Sequence, residues 1–266
     1  MDLARFAVGR MGVSRAYSID RREVALLFGE NSGSSESAQF FGQFRRILSF
    51  FAAGEALFRD ALRDAAGKGV VTFHAFRPEA PGHVAAAYLN EIGEPDTSLD
   101  SYLEVLPEDI EAARGALADA GLLDSRIAIL FPGSGGPHKN WPAEKFVLLA
   151  STIRARAYPL FVFGPAEQEL RTVMAPLLDE ERIAHLSGLS LGAVAGLARL
   201  SAGFIGNDSG VSHLAAACGA PGVVIFGPTD PERWRPLGRV EVVRAQSLKN
   251  LIPKEVISAA STLIGL

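Results

Sequence analysis

The sequence predicts an α/β fold in which short buried strands lie parallel and helices cover both faces of the sheet. Two observations carry this. Between residues 126 and 226 four apolar runs of the kind Ile127-Ala128-Ile129-Leu130-Phe131 recur, each followed by a glycine-containing turn or loop and then a helical stretch. The 266 residues, 48% hydrophobic and 21% charged, are the balance of an ordinary globular chain, long enough for one large domain or two modest ones. Gly93-Glu94-Pro95-Asp96 breaks the pattern, and the boundary is expected between there and Pro107, dividing the chain into residues 1–106 and 107–266.

In order along the chain, residues 23–28 are an apolar run too brief to type, and Asn31-Ser32-Gly33-Ser34-Ser35-Glu36-Ser37 reads as an exposed loop entering a helix. A strand is predicted at 46–51, a helix at 55–66, a strand at 69–73 and a helix at 83–92. The second part is more regular. A helix at 108–120 is closed by Gly121, and a buried strand follows at 126–131. After a glycine-rich loop at 132–142 come a helix at 143–156, a strand at 159–163 and a helix at 166–178. A helix at 191–201, a strand at 203–206, a helix at 210–218 and a strand at 222–226 complete the alternation. In such sheets ligands sit at the carboxyl ends of the strands.

Composition narrows the function. A net charge of −4 supplies no global basic field for nucleic acid, so any phosphate binding must be local. One cysteine, Cys218, forms no internal disulfide, and no Cys/His cluster has zinc spacing, so no metal site is expected. No apolar run approaches the ~20 residues of a membrane-spanning helix, and Met1-Asp2-Leu3-Ala4-Arg5 does not open a signal peptide. The expectation is a cytoplasmic protein, with peripheral membrane contact left open.

Three loops carry chemistry. In Pro132-Gly133-Ser134-Gly135-Gly136-Pro137-His138-Lys139-Asn140-Trp141-Pro142, glycines let backbone N–H groups approach a phosphate, while Ser134 and Lys139 add a hydroxyl and a cation. It is not a P-loop, because Lys139 lacks a preceding glycine and a following Ser or Thr. The plainer alternative is a glycine-rich turn with a solvated lysine, and Trp141 by itself reads as a core anchor. In Gly206-Asn207-Asp208-Ser209-Gly210-Val211-Ser212-His213, Asp208 or Ser209 is placed to cap the next helix. A cap explains one of these residues, not the set. Ser209 and Gly210 present N–H groups to an anion, and His213 lies one turn on along the same face. In Phe226-Gly227-Pro228-Thr229-Asp230-Pro231, Thr229 can donate to phosphate, or the segment simply shapes a turn.

Together these loops resemble the bacterial heptosyltransferases, glycosyltransferase family 9. The block Asp208-Ser209-Gly210…His213-Leu214-Ala215-Ala216-Ala217 carries most of the likeness, with Lys139-Asn140-Trp141-Pro142 and Phe226-Gly227-Pro228-Thr229-Asp230-Pro231 at matching spacing. The likeness covers residues 127–266 well and extends weakly over 83–93. It implies a GT-B architecture of two Rossmann-like domains with parallel sheets. It also implies an ADP-sugar donor, no other cofactor, and a lipopolysaccharide-core or related glycan acceptor. By the resemblance, Ser134 and Gly135 contact phosphate and Lys139 neutralises it as the nucleoside diphosphate leaves. Glu167 reaches the ribose, and Leu189 lines the adenine pocket. Asp208, Ser209, Gly210 and His213 hold pyrophosphate and sugar, with Thr229 also on the donor side. Lys139 and Asp208 are the catalytic candidates.

The chain also departs from the family. Members open with a strand and a Gly-Asp loop whose aspartate is the proposed base, whereas Val8-Gly9-Arg10-Met11-Gly12-Val13-Ser14 has no acid there, and Asp20 reads as a solvated acid. The N-terminal domain is therefore expected to be incomplete. The alternative to a transferase is a non-catalytic sugar-nucleotide-binding protein or a fragment without its base. His74, His83, His185 and Cys218 read as structural, and Arg233-Trp234-Arg235 as weak evidence for an acidic acceptor.

Overall fold

The computed structural model describes residues 3–29 and 34–266; the 31–33 part of the expected exposed loop lies outside them. The described chain forms two compact units, residues 15–98 and a larger one that joins residues 3–14 to 99–266. The division falls at 98/99, within the stretch between the Gly-Pro break and Pro107, and also at 14/15, which assigns residues 3–14 to the larger unit. The first residues belong with the larger unit because Arg10 reaches across the sequence to Asp109, as described below.

The chain starts with α1 (Leu3–Ala7). The smaller unit then contains α2 (Arg22–Ala25), running on as a 3-10 turn over Leu26–Phe28, and α3 (Ser35–Phe41), whose N-terminus Ser34 caps by accepting the Ser37 N–H. It continues with β1 (Arg46–Ser49), α4 (Ala56–Ala66), β2 (Val70–Phe73) and α5 (Val84–Glu91). β1 and β2 pair in parallel with Arg46 opposite Val70, and α4 is their crossover. Leu27, Phe41, Phe58 and Leu62 form the core of this unit. His83 accepts the Ala85 N–H and so begins α5, a structural role. His74 is buried with Nε2 2.7 Å from Thr72 Oγ1.

The larger unit runs α6 (Pro107–Asp119), β3 (Ile127–Phe131), α7 (Ala143–Ile153), β4 (Tyr158–Phe163), α8 (Gln168–Glu180) and β5 (His185–Ser187). It continues with α9 (Leu191–Leu200), β6 (Gly203–Asn207), α10 (Gly210–Ala217), β7 (Gly222–Phe226), α11 (Pro231–Trp234), β8 (Val240–Arg244) and α12 (Pro253–Ile264). α6 closes at Gly121 with φ of 69°, a left-handed conformation that glycine adopts without steric cost. The six strands lie in the order β5-β4-β3-β6-β7-β8, all parallel. Renumbered from β3, this is the doubly wound dinucleotide-fold order, with its direction of winding reversing between β3 and β6.

Both faces of the sheet are covered, which is why its central strands are apolar throughout. Ala128, Leu130, Phe161, Phe163, Ile205, Val223 and Ile225 pack on one side with Phe146, Leu149, Met174, Val256 and Ala260 from α7, α8 and α12. Ile127, Ile129, Phe131, Leu160, Val162, Phe204, Val224 and Phe226 face the other way onto α6, α9 and α10. α6 and α9 come close because Gly192 and Gly196 are small. A Cβ on Gly196 would lie 2.1 Å from the Asp109 carbonyl oxygen, and one on Gly192 the same distance from Asp109 Oδ1. That carboxylate is buried and takes both forks of Arg10, Nε at 2.9 Å and Nη2 at 2.7 Å.

Two strands were not foreseen, β5 and β8. The helix expected at 166–178 begins instead as a 3-10 turn over Pro165–Glu167 before α8. Among the described residues no helix is long and apolar enough to cross a membrane.

Candidate functional site

Parallel topology brings five loops to one edge of the larger unit's sheet, those following β3, β4, β5, β6 and β7. Every donor-site candidate lies in one of them or, for Gly210 and His213, in the first turn of the helix beyond. Ser134, Gly135 and Lys139 follow β3, and Glu167 follows β4. Leu189 follows β5, Asp208, Ser209 and Gly210 follow β6, and Thr229 follows β7. The β3 and β6 loops flank the switch point, where two neighbouring connections diverge and leave a crevice.

At the switch point the structure ties three candidates together. Asp208, buried to 7% exposure, receives Lys139 Nζ at 3.1 Å and the Thr229 hydroxyl at 2.7 Å on its Oδ2. Lys139 Nζ also donates to the Asp208 carbonyl oxygen at 3.1 Å. An ammonium has three protons, so one remains for a ligand. The loops after β3, β6 and β7 are thereby joined through one carboxylate.

Beneath this knot lies Asn207, which sequence reasoning passed over. It is fully buried, donates from Nδ2 to the Pro132 carbonyl at 2.7 Å and accepts the Trp141 N–H on Oδ1 at 3.1 Å. One amide therefore pins both ends of the 132–142 loop. Its own carbonyl accepts the buried Ser212 hydroxyl at 2.7 Å. Trp141 is the core anchor expected of it: 1% exposed, its Nε1 donates to the Leu251 carbonyl at 3.1 Å. The signal that could have found Asn207 is an amide at the last residue of a central buried strand, where a polar side chain must find partners.

The expected cap on α10 is absent. Neither Asp208 nor Ser209 caps the helix with its side chain: Asp208 is engaged by Lys139 and Thr229, and the Ser209 hydroxyl lies 3.2 Å from that of Ser212. The Ser212 and His213 N–H groups donate to the Ser209 carbonyl, so it is the Gly210 and Val211 N–H groups that lie at the positive end of the helix dipole without a side-chain cap. A Cβ built on Gly210, or on Gly135 in the facing loop, would meet nothing within 4 Å, so both backbones border open space. This arrangement can hold an anion from two sides.

The remaining candidates are engaged locally. Ser134 Oγ lies 2.7 Å from the Gly136 carbonyl and 2.6 Å from Asn140 Oδ1, and its single proton serves one of them at a time. The Glu167 carboxylate accepts the Gly164 N–H and lies against Gly133, where a Cβ would fall 1.9 Å from Oε1. Burial pushes the Glu167 carboxyl above the usual range, and the Gly164 N–H only partly offsets this. Leu189 is half-buried against the α6/α9 side of the sheet. His213 is half-buried on the first turn of α10. Trp234 is exposed, with the Arg233 guanidinium 5.7 Å from its ring centroid.

A doubly wound parallel sheet with a lysine and an uncapped helix N-terminus at its switch point is the architecture of α/β domains of the nucleotide-binding kind. A model of glycosyltransferase family 9 (heptosyltransferase) matches residues 80–256, and the chain belongs to that family. Lipooligosaccharide heptosyltransferase 2 of Haemophilus influenzae is 31% identical over 147 residues, covering 52% of this chain and 42% of the relative. The matched part thus spans less than half of that relative's length. The fold is GT-B-like. A family 9 glycosyltransferase from Veillonella parvula aligns with TM-score 0.70 at 22% identity over 88% of this chain and 79% of its own. E. coli heptosyltransferase WaaC with ADP aligns with TM-score 0.62 at 19% identity over 96% of this chain and 85% of its own.

Proposed function

We propose that the chain binds an ADP-activated heptose-type sugar through its larger unit and transfers the sugar to a lipopolysaccharide-core or related glycan acceptor. The observation that carries this is the Lys139–Asp208–Thr229 knot beside the uncapped N-terminus of α10. In the transfer an acceptor hydroxyl attacks the anomeric carbon. The bond from that carbon to the β-phosphate oxygen breaks, and ADP departs with the electron pair. Lys139 and the α10 amides would meet the charge that develops on the leaving diphosphate, where fixed donors stabilise most. Asp208 and Thr229 would hold Lys139 in place and His213 would reach a phosphate or sugar oxygen. Ser134, Gly135, Ser209 and Gly210 would line the diphosphate, with Glu167 and Leu189 toward the nucleoside. The acceptor's proton goes to a base not among these residues. The donor sugar is the sole small-molecule requirement, and the reaction would take place on the cytoplasmic side.

The second reading, a sugar-nucleotide-binding protein without turnover, is supported by Asp20. It is exposed in a segment outside any strand end, its carboxylate 3.4 Å from the Ser18 hydroxyl, and nothing in its own unit ties it to a strand end as a base would be.

The test is thermal. ADP is expected to raise the melting temperature of the chain, and Lys139→Ala or Asp208→Ala to abolish the shift. No shift at millimolar ADP would overturn the donor-site assignment. Release of ADP from ADP-heptose in the presence of acceptor separates the two readings, since the binding protein gives none.

A further inference from the structure

Asn207 lies at the end of β6 with its side chain fully buried, on a rigid base. β6 is hydrogen-bonded to β3 on one side and β7 on the other, and the Ser212 hydroxyl closes on the Asn207 carbonyl. Residues 207 and 208 together grip the 132–142 loop. The Asn207 amide takes Pro132 and Trp141 near its ends, and Asp208 takes Lys139 between them. The intervening stretch is tied to itself. The Lys139 N–H donates to the Gly136 carbonyl at 3.0 Å, the Asn140 N–H to that of Pro137 at 3.1 Å, and Ser134 Oγ lies 2.6 Å from Asn140 Oδ1. A segment knitted this way moves as one piece, so the hold on its ends sets where Lys139 arrives.

The two ends make opposite demands on one buried side chain. Pro132 presents an acceptor and Trp141 a donor, so the group between them must donate from one atom and accept on the other. The asparagine amide does both. Leucine does neither and strands both backbone groups. A carboxylate accepts from Trp141 but turns a second oxygen toward the Pro132 carbonyl; once protonated, it donates there as the amide does. Asn207→Asp therefore carries a defect that acid repairs, which a general loss of packing does not share. The titratable groups on the loops after β3, β4 and β6 and at the start of α10 are His138, Lys139, Glu167, Asp208 and His213. Wild type carries the same groups, so wild type at each pH is the reference.

We infer that Asn207 is a positioning residue for the donor site: its amide fixes the 132–142 loop so that Lys139 meets the diphosphate, while the amide itself stays buried. Its effect on ADP rests on the donor reading above; its hold on the loop is measurable without ligand. In the ligand-free chain, Asn207→Asp should exchange the amide hydrogens of 132–142 about tenfold faster than wild type at about pH 8, through the loss of one buried hydrogen bond. At about pH 5 the rates should converge, because burial lifts the introduced acid above the ordinary aspartate range. The dissociation constant for ADP should follow, about tenfold higher at about pH 8 and within about threefold of wild type at about pH 5. Asn207→Leu should stay weak at both. Gly196→Val, a packing defect against the Asp109 carbonyl, should lower the melting temperature and leave both readouts unchanged. Loop exchange equal to wild type in Asn207→Asp, or ADP affinity undiminished despite faster exchange, would overturn the positioning role. So would a loss of ADP affinity that acid does not restore, or one that Gly196→Val reproduces. No ADP effect on wild type would remove the donor reading and the positioning role with it, while faster loop exchange in Asn207→Asp would still establish the clamp.

Discussion

Asp208 is placed where its loss would be felt in two ways. Its carboxylate is buried and satisfied by Lys139 and Thr229, so removing either partner leaves an acceptor short inside the protein. Thr229→Val should therefore lower stability by about 1–3 kcal/mol, read as a fall in melting temperature, and weaken ADP binding by freeing Lys139 from its position. Unchanged ADP affinity in this variant would separate the hydroxyl from the donor site. The placement of Lys139, Asp208 and the glycines around them at strand ends was legible in the sequence because it is tied to local patterns: a loop after an apolar run, and a small-residue helix start. Asn207 was not, since its partners Pro132 and Trp141 lie 75 and 66 residues away and no spacing rule links them. The capping expectation at α10 failed for a related reason. A carboxylate placed to cap a helix is claimed by a lysine from another loop, where both partners are ionised, whereas in a cap only the carboxylate is.

At the level of elements, the strands of the larger unit read correctly were those buried on both faces. β3, β4, β6 and β7 are runs of apolar residues because helices cover both sides. The two that were missed, β5 and β8, are the sheet's edges. His185-Leu186-Ser187 is short and part polar, and Val240-Glu241-Val242-Val243-Arg244 carries charge on its outer positions, as edge strands do. Helix contacts offer a paired prediction. Gly196 on α9 faces the α6 backbone, so Gly196→Val should destabilise by about 1–3 kcal/mol or more through overpacking. Gly115 on α6 is exposed with open space around it, so Gly115→Ala should stabilise by about 0.4–1 kcal/mol. Denaturant midpoints of the two variants, moving in opposite directions, check both.

For the molecule as a whole, the Arg10–Asp109 pair makes stability depend on acid. Burial alone would raise the Asp109 carboxyl. The Arg10 hydrogen bonds, the Leu106 N–H and the Arg10 charge outweigh it, leaving the carboxyl below the ordinary aspartate range. A group lowered in the folded state contributes stability that is present above its unfolded value and is lost as pH falls through the folded one. Unfolding free energy should thus decline as pH drops below the ordinary aspartate range, and Asp109→Asn should flatten that decline. Arg10→Met, which strands the carboxylate, should cost about 3–5 kcal/mol at neutral pH. Equal slopes in wild type and Asp109→Asn would remove the pair from the pH response. None of this was visible in the sequence, where Arg10 and Asp109 stand 99 residues apart in segments assigned to different domains.

The same pair changes how the chain is strung. Because residues 3–14 return to the unit formed by 99–266, the smaller unit is a loop hung from two points on a single body, not a bead at the end of a string. A protease that cuts once inside residues 15–98 would not set the N-terminal piece adrift. That piece would stay docked by Arg10 on Asp109 and by the Glu104 N–H on the Arg10 carbonyl, and part only when the larger unit unfolds.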